Sequence, residues 1–165
     1  MNLIIVDIQP MYRPWISESV MQNVVKAIET AEDVVWYFNG EDVGSDTESC
    51  IIDMMMDYLD PDEIWRKITF IEKHYGFLRN WMDRGECHYE IVETIKLMMT
   101  VGTNDTRDLD DYADDDDMMT IPDFELPDFE FAHICGGCDQ QCLLEMELLL
   151  KANNIETKRL PSAIF

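Results

Sequence analysis

Basic side chains are what this sequence most lacks: 12 lysines and arginines stand against 35 aspartates and glutamates, a formal net charge of −23. Such a surface repels nucleic-acid phosphates and anionic membrane, so direct binding to either is excluded as a function class. Cationic partners, metal ions and mimicry of nucleic acid stay open. Long apolar runs are also missing. The start, MNLIIVDIQP, has no basic leader region, and its apolar run is too short for a signal peptide or a membrane span. A cytoplasmic protein is expected. Cysteine is present but unsuited to a disulfide framework: five residues, an odd count at uneven spacing, with no second C-x2-C pair. No internal repeat is visible, and the three histidines stand far apart.

What is present alternates between buried strands and amphipathic helices. Leu3-Ile4-Ile5-Val6 is a continuous β-branched run of the kind buried on both faces of a parallel sheet, and it ends in Asp7. Val20, Val24, Ala27, Ile28 and Ala31 recur at helical spacing, with Ser17 as the cap. Residues 33–38 (DVVWYF) form a second strand broken by Asn39-Gly40. Residues 47–59 form a helix closed by Asp60-Pro61, and residues 67–71 (KITFI) a third strand that delivers Glu72-Lys73. Helices are expected over 76–84 and 89–99, a strand ending at Ile134, a helix after it, and a last, edge-like strand over 155–160. This pattern predicts one α/β domain over residues 1–165, with a mostly parallel five-stranded sheet between helical layers, because parallel neighbours need a crossover. Residues 103–130 differ in kind. They carry a dozen acids against the single base Arg107, include Asp114 to Asp117, and are read as an acidic, partly mobile insertion.

Phe131 to Ala152, FAHICGGCDQQCLLEMELLLKA, reads as strand, glycine turn and helix. Asp139 is suited to cap the helix, which leaves Cys142 in its first turn, where orphan N–H groups and the dipole favour a thiolate. In a parallel sheet the carboxyl ends of the strands carry the ligand site. Three such ends bear chemistry here: Asp7, Lys73 and the turn leading to Cys142. Asp7 can take a thiol proton, Lys73 can hold positive charge against carboxylate and thiolate, and the turn can aim N–H groups at an oxyanion. Bland readings stand beside this one. Asp7 can simply cap a strand end, Lys73 can be a solvated lysine, and Cys142 can be core filling with Met146 and Leu149. Cys135, Cys138 and Cys142, with Cys50, Cys87 or His133 as a fourth ligand, also have a spacing able to reach one metal ion.

Three segments in order carry a resemblance: Asp7-Ile8-Gln9-Pro10-Met11-Tyr12, Lys73-His74-Tyr75-Gly76-Phe77, and Gly136-Gly137-Cys138-Asp139-Gln140-Gln141-Cys142-Leu143. With them the chain resembles the isochorismatase-like cysteine hydrolases, the family that includes nicotinamidases. The resemblance implies a three-layer α/β/α fold with Asp7 as general base, Lys73 as its electrostatic partner and Cys142 as nucleophile. It further implies a cis peptide between Gly137 and Cys138, an oxyanion hole from the N–H groups of Cys138 and Cys142, and a substrate pocket lined by Tyr12, Trp15 and Phe77. The implied reaction cleaves the C–N bond of a small amide through a Cys142 acyl-enzyme. Asn39-Gly40-Glu41-Asp42 stands where nicotinamidases carry an Asp-x-His metal motif, so no metal and no cofactor are expected. Asp139 replaces the family's usual threonine, and the family's closing strand and helix are lacking, a shortened C-terminus. With the acidity, these departures support an alternative: a catalytically decayed relative acting as a binding module, its acidic loop meeting a basic protein partner. The apolar ending Ala163-Ile164-Phe165 suggests burial within the protomer or in a homo-oligomer.

Overall fold

The computed structural model describes residues 1–40, 46–73, 76–109, 119–121 and 125–165, and at positions 63 and 65 the backbone alone. Among the described residues five strands form one sheet in the order β3-β2-β1-β4-β5, every pair parallel. The strands are β1 (Asn2–Val6), β2 (Asp33–Asn39), β3 (Ile68–Lys73), β4 (Phe131–Gly136) and β5 (Glu156–Ile164). The helices are α1 (Glu18–Thr30), α2 (Thr47–Met55), α3 (Pro61–Lys67), α4 (Arg79–Asp83), α5 (His88–Val101) and α6 (Cys142–Ala152). The sheet is therefore wholly parallel rather than mostly so.

Period-two alternation divides each central strand between two cores. Leu3 and Ile5 of β1 pack with Met21, Val24 and Ile28 of α1, Ile51 and Met55 of α2, and Ile64 of α3. Ile4 and Val6 face the other way, onto Trp81 of α4, Ile91 and Ile95 of α5, and Leu143, Met146 and Leu149 of α6. Helices thus cover both faces, which is why β1 and β2 read as unbroken apolar runs. Ser17 caps α1, accepting the Val20 N–H at 3.3 Å.

Among the boundaries that differ from the sequence reading, two involve a proline. The helix expected over 47–59 ends at Met55, so Asp60-Pro61 does not close it and instead opens α3: Asp60 accepts the Asp62 N–H at 2.9 Å and Pro61 occupies the first turn, where its missing N–H costs nothing. The last strand continues through Pro161 to Ile164, because β5 lies at the sheet edge, where a proline is tolerated, and its pairing with β4 shifts register between Ile134 and Gly136.

The run Asp114 to Asp117 lies outside the described residues, together with residues 110–113, 118 and 122–124 of the expected mobile insertion. On either side of it, Asp105 bridges Thr120 and Thr106 exchanges backbone and hydroxyl bonds with Met119. Leu109 and Met119 are buried in the core beside α5 and α6. No described helix is long and apolar enough to cross a membrane.

Candidate functional site

β1 stops being a strand at Asp7. Its backbone enters the left-handed region (φ 52°), while its N–H still donates to Tyr37 O at 2.9 Å. Aspartate accepts that conformation better than most residues, at a cost of roughly 1–2 kcal/mol. The turn leaves the Asp7 carboxylate fully buried. Gln9, two residues on, stitches the ends of β1 and β2 together: its amide donates to Asn39 O and accepts from Asn39 N, both at 2.9 Å.

Lys73 ends β3, with β2 between it and β1. Two strand spacings of about 4.8 Å separate their backbones. The extended lysine stem crosses that gap, and its Nζ lies 2.9 Å from Asp7 Oδ2, with both side chains sealed from solvent. Neither carboxylate oxygen nor Nζ has a well-formed hydrogen bond, so charge holds the pair. Burial alone would lower the Lys73 pKa. The charge and proximity of Asp7, then of Cys142 and Glu145, outweigh it and move the pKa up.

At the end of β4, Gly136 (φ 89°) and then Gly137 (φ 37°) turn the chain, and Gly137 N donates to Val6 O at 2.7 Å. A Cβ on Gly136 would stand 2.2 Å from Val6 O, so only glycine fits this approach to β1. No cis peptide occurs among the described residues, which corrects the expectation for Gly137–Cys138. Two successive left-handed glycines reverse the chain with a trans bond. The turn's own hydrogen bonds run from the N–H groups of Gln141 and Leu143 to Cys138 O. They leave the N–H groups of Cys138 and Cys142 uncommitted within it.

Cys142 is the first residue of α6, but Asp139 is not its cap. Gln141 holds that position without a side-chain bond, and Asp139 turns outward to pair with Arg159 of β5, whose Nε also donates to Glu147 at 2.9 Å. The Cys142 thiol lies half-buried beside the Asp7 carboxylate. Burial, then the Asp7 charge, push its pKa up to about 12, against an opposing pull from Lys73 and a further push from Glu145. Its resting form is the thiol, not the thiolate expected from the helix position alone.

Asp7, Cys138, Gln141 and Cys142 share a cavity of about 410 Å³ whose walls are Tyr12, Trp15 and Phe165. Tyr12 sits 6.2 Å from Trp15 and 6.1 Å from Phe165, ring centre to ring centre. Phe77 is not part of this wall. After the turn at Gly76 (φ 65°) it packs against the core on the α4–α6 side. Gln141 and Phe165 were not assigned to the pocket from the sequence; burial was expected of Phe165, but only the register of β5 carries it back to Tyr12.

Comparison with protein families, curated proteins and solved structures finds no match.

Cys135 and Cys142 face opposite sides of the sheet, since Cys135 is buried with the α1–α3 core and Cys142 abuts the α4–α6 core. The three sulfurs of the C-x2-C-x3-C pattern therefore do not meet. Among the described residues no three His, Cys, Asp or Glu side chains converge as a ligand set, and no disulfide joins the cysteines. His74 lies outside the described residues. His88 is exposed at the start of α5, and His133 meets Phe131 edge-on at 5.3 Å, away from the cavity.

Glu145 is the acid that pattern reading passed over. It stands one turn beyond Cys142, is 3% exposed, and accepts the Leu78 N–H at 2.6 Å. Burial pushes its pKa up to about 7, with Leu78 and Lys73 pulling the other way. An acid three residues after Cys142, hence on the same face of an apolar helical run that otherwise carries only Glu147, was the available signal.

Proposed function

We propose that this protein is a cysteine amidohydrolase of the isochorismatase-like kind, cleaving the C–N bond of a small amide. The observation that carries the reading is the sealed Asp7–Lys73 pair at 2.9 Å with the Cys142 thiol beside it, at the floor of an aromatic cavity. A buried ion pair costs desolvation energy and is weak evidence for a stabilising device. Placed against a thiol at the carboxyl ends of parallel strands, it has a chemical use.

Because Cys142 rests as a thiol, attack and deprotonation are coupled. Sγ bonds to the amide carbon as its proton passes to Asp7, while Lys73 keeps a positive charge beside both groups. The carbonyl oxygen becomes an oxyanion facing the N–H groups of Cys138 and Cys142. The C–N bond breaks as Asp7 returns the proton to nitrogen, leaving a thioester and free ammonia or amine. Water then attacks the thioester and gives its proton to Asp7. The C–S bond breaks, the acid departs and Cys142 regains its proton. Lys73 is engaged with Asp7, and no other cation lines the described cavity, so the substrate carries no carboxylate that needs pairing.

Ammonia release from a panel of uncharged amides tests the reading, with trapping of the Cys142 thioester by mass spectrometry. Turnover that Cys142→Ala abolishes is expected; turnover unaffected by that change, or none across the panel, overturns it. The net charge of −23 favours a second reading, an interaction module for a basic partner. That reading predicts salt-sensitive binding of a polycation that Cys142→Ala leaves intact.

A further inference from the structure

We infer that Glu145 is a positioning residue for Cys142: its carboxyl ties the nucleophile helix to the segment that follows Lys73, and its charge state sets how readily Cys142 yields its proton. Two geometric facts carry this. Glu145 Oε1 accepts the Leu78 N–H at 2.6 Å, joining α6 to the chain entering α4. Glu145 also stands three residues from Cys142 on the same helix, hence on the same face.

Among the described residues, the charged groups that act on this carboxyl belong to the site or its border. Lys73 reaches it from the end of β3, Asp7 from the end of β1 and Arg79 from α4, with Arg79 also paired to Asp83 at 3.6 Å. Glu145 is absent from the aromatic cavity. It borders instead a recess of about 10 Å³ on another side of Cys142, shared with Gln141, Gly76 and Arg79. It therefore touches no substrate and acts through the nucleophile.

The electrostatic consequence has a definite sign. Asp7 and Lys73 cancel each other, so a neutral Glu145 leaves the cluster without net charge and an ionised one adds a negative charge beside the sulfur. Ionised Glu145 opposes thiolate formation; neutral Glu145 permits it. Thiolate formation in turn favours the protonated carboxyl.

The inference rests on the proposed nucleophile for its functional meaning, but its test needs no turnover. Iodoacetamide alkylation of Cys142 is followed by peptide mass spectrometry from about pH 5 to about pH 9, with exposed Cys87 as reference in the same sample. Glu145→Gln keeps an oxygen for Leu78 and removes the charge. The expected ratio of variant to wild-type rate is near one at the acidic end. It rises roughly threefold to tenfold at the alkaline end, as half to one pKa unit of mutual repulsion requires. A ratio flat with pH shows a merely structural role and overturns the inference. Should the variant fold poorly, the 13C shift of Cys142 Cβ in wild-type protein serves instead: a titration step near neutral pH supports the coupling, and its absence overturns it. A rising ratio in a protein that hydrolyses no amide leaves this inference standing and removes the enzymatic reading; hydrolysis with a flat ratio does the reverse.

Discussion

Lys73 Nζ meets Asp7 Oδ2 at 2.9 Å across the end of an intervening strand, and both side chains are closed to solvent. Removing one member leaves the other as an uncompensated buried charge. Asp7→Asn, which keeps a residue tolerant of the left-handed turn, and Lys73→Met are each expected to cost about 3–5 kcal/mol in urea unfolding. The double variant is expected to cost clearly less than the sum. Additive losses would show that the two charges do not support each other.

The same pair sets the chemistry of Cys142. Cys142→Ala is expected to abolish amide hydrolysis, while Asp7→Asn lowers it by about 10²–10⁴-fold, the usual worth of a positioned general base. Steady-state rates on an active amide check both. A resting thiol with a pKa near 12 also predicts slower alkylation of Cys142 than of exposed Cys87 at neutral pH without substrate.

Asp139 is three residues from Cys142 in sequence, yet its charge is engaged by Arg159. Asp139→Asn is expected to change Cys142 alkylation by less than about twofold. Because Asp139 is half exposed, the expected stability loss is about 0–1 kcal/mol. A large rise in reactivity would mean that Arg159 fails to hold the carboxylate away.

Gly136→Ala would drive a Cβ to 2.2 Å from Val6 O at a residue already held at φ 89°. With backbone on both sides, nothing can yield cheaply. The expected loss is about 3–5 kcal/mol in chemical denaturation, with Cys142 reactivity disturbed as the turn moves.

Glu145 couples stability to pH. Its carboxyl titrates near 7 in the folded chain against a reference of 4.5, so the folded state holds its proton more tightly. Its contribution is fully present below pH 4.5 and is lost as pH rises through about 7. Glu145→Gln stays neutral throughout. It is expected to match wild type at the acidic end and to exceed it by on the order of 3 kcal/mol at mildly alkaline pH, measured by denaturant midpoints.

Local pattern carried the strands and most helices, because burial on both faces leaves unbroken apolar runs such as Leu3 to Val6, and amphipathic spacing marks α1. It took Asp60-Pro61 as the end of one helix rather than the start of another, and it ended the last strand at Leu160. The first depends on where the next helix packs, the second on the strand lying at an edge. Cys142 was legible as a helix-start cysteine. Its thiol state was not, since burial and the Asp7 charge outweigh the helix terminus.

The sequence by itself determined that Asp7, Lys73 and the Cys142 turn stand at the carboxyl ends of strands, because periodicity places strand ends and parallel crossovers put those ends on one side. Only the tertiary structure decided what each group faces. The register of β1, β2 and β3 let Lys73 reach Asp7, β5 brought Arg159 to Asp139 and Phe165 to Tyr12, and the packing of α6 buried Glu145 near the same charges. Those partners lie from tens of residues to more than a hundred apart along the chain. Charge neutralisation, desolvation and the state of a thiol depend on distances in space that no local pattern contains.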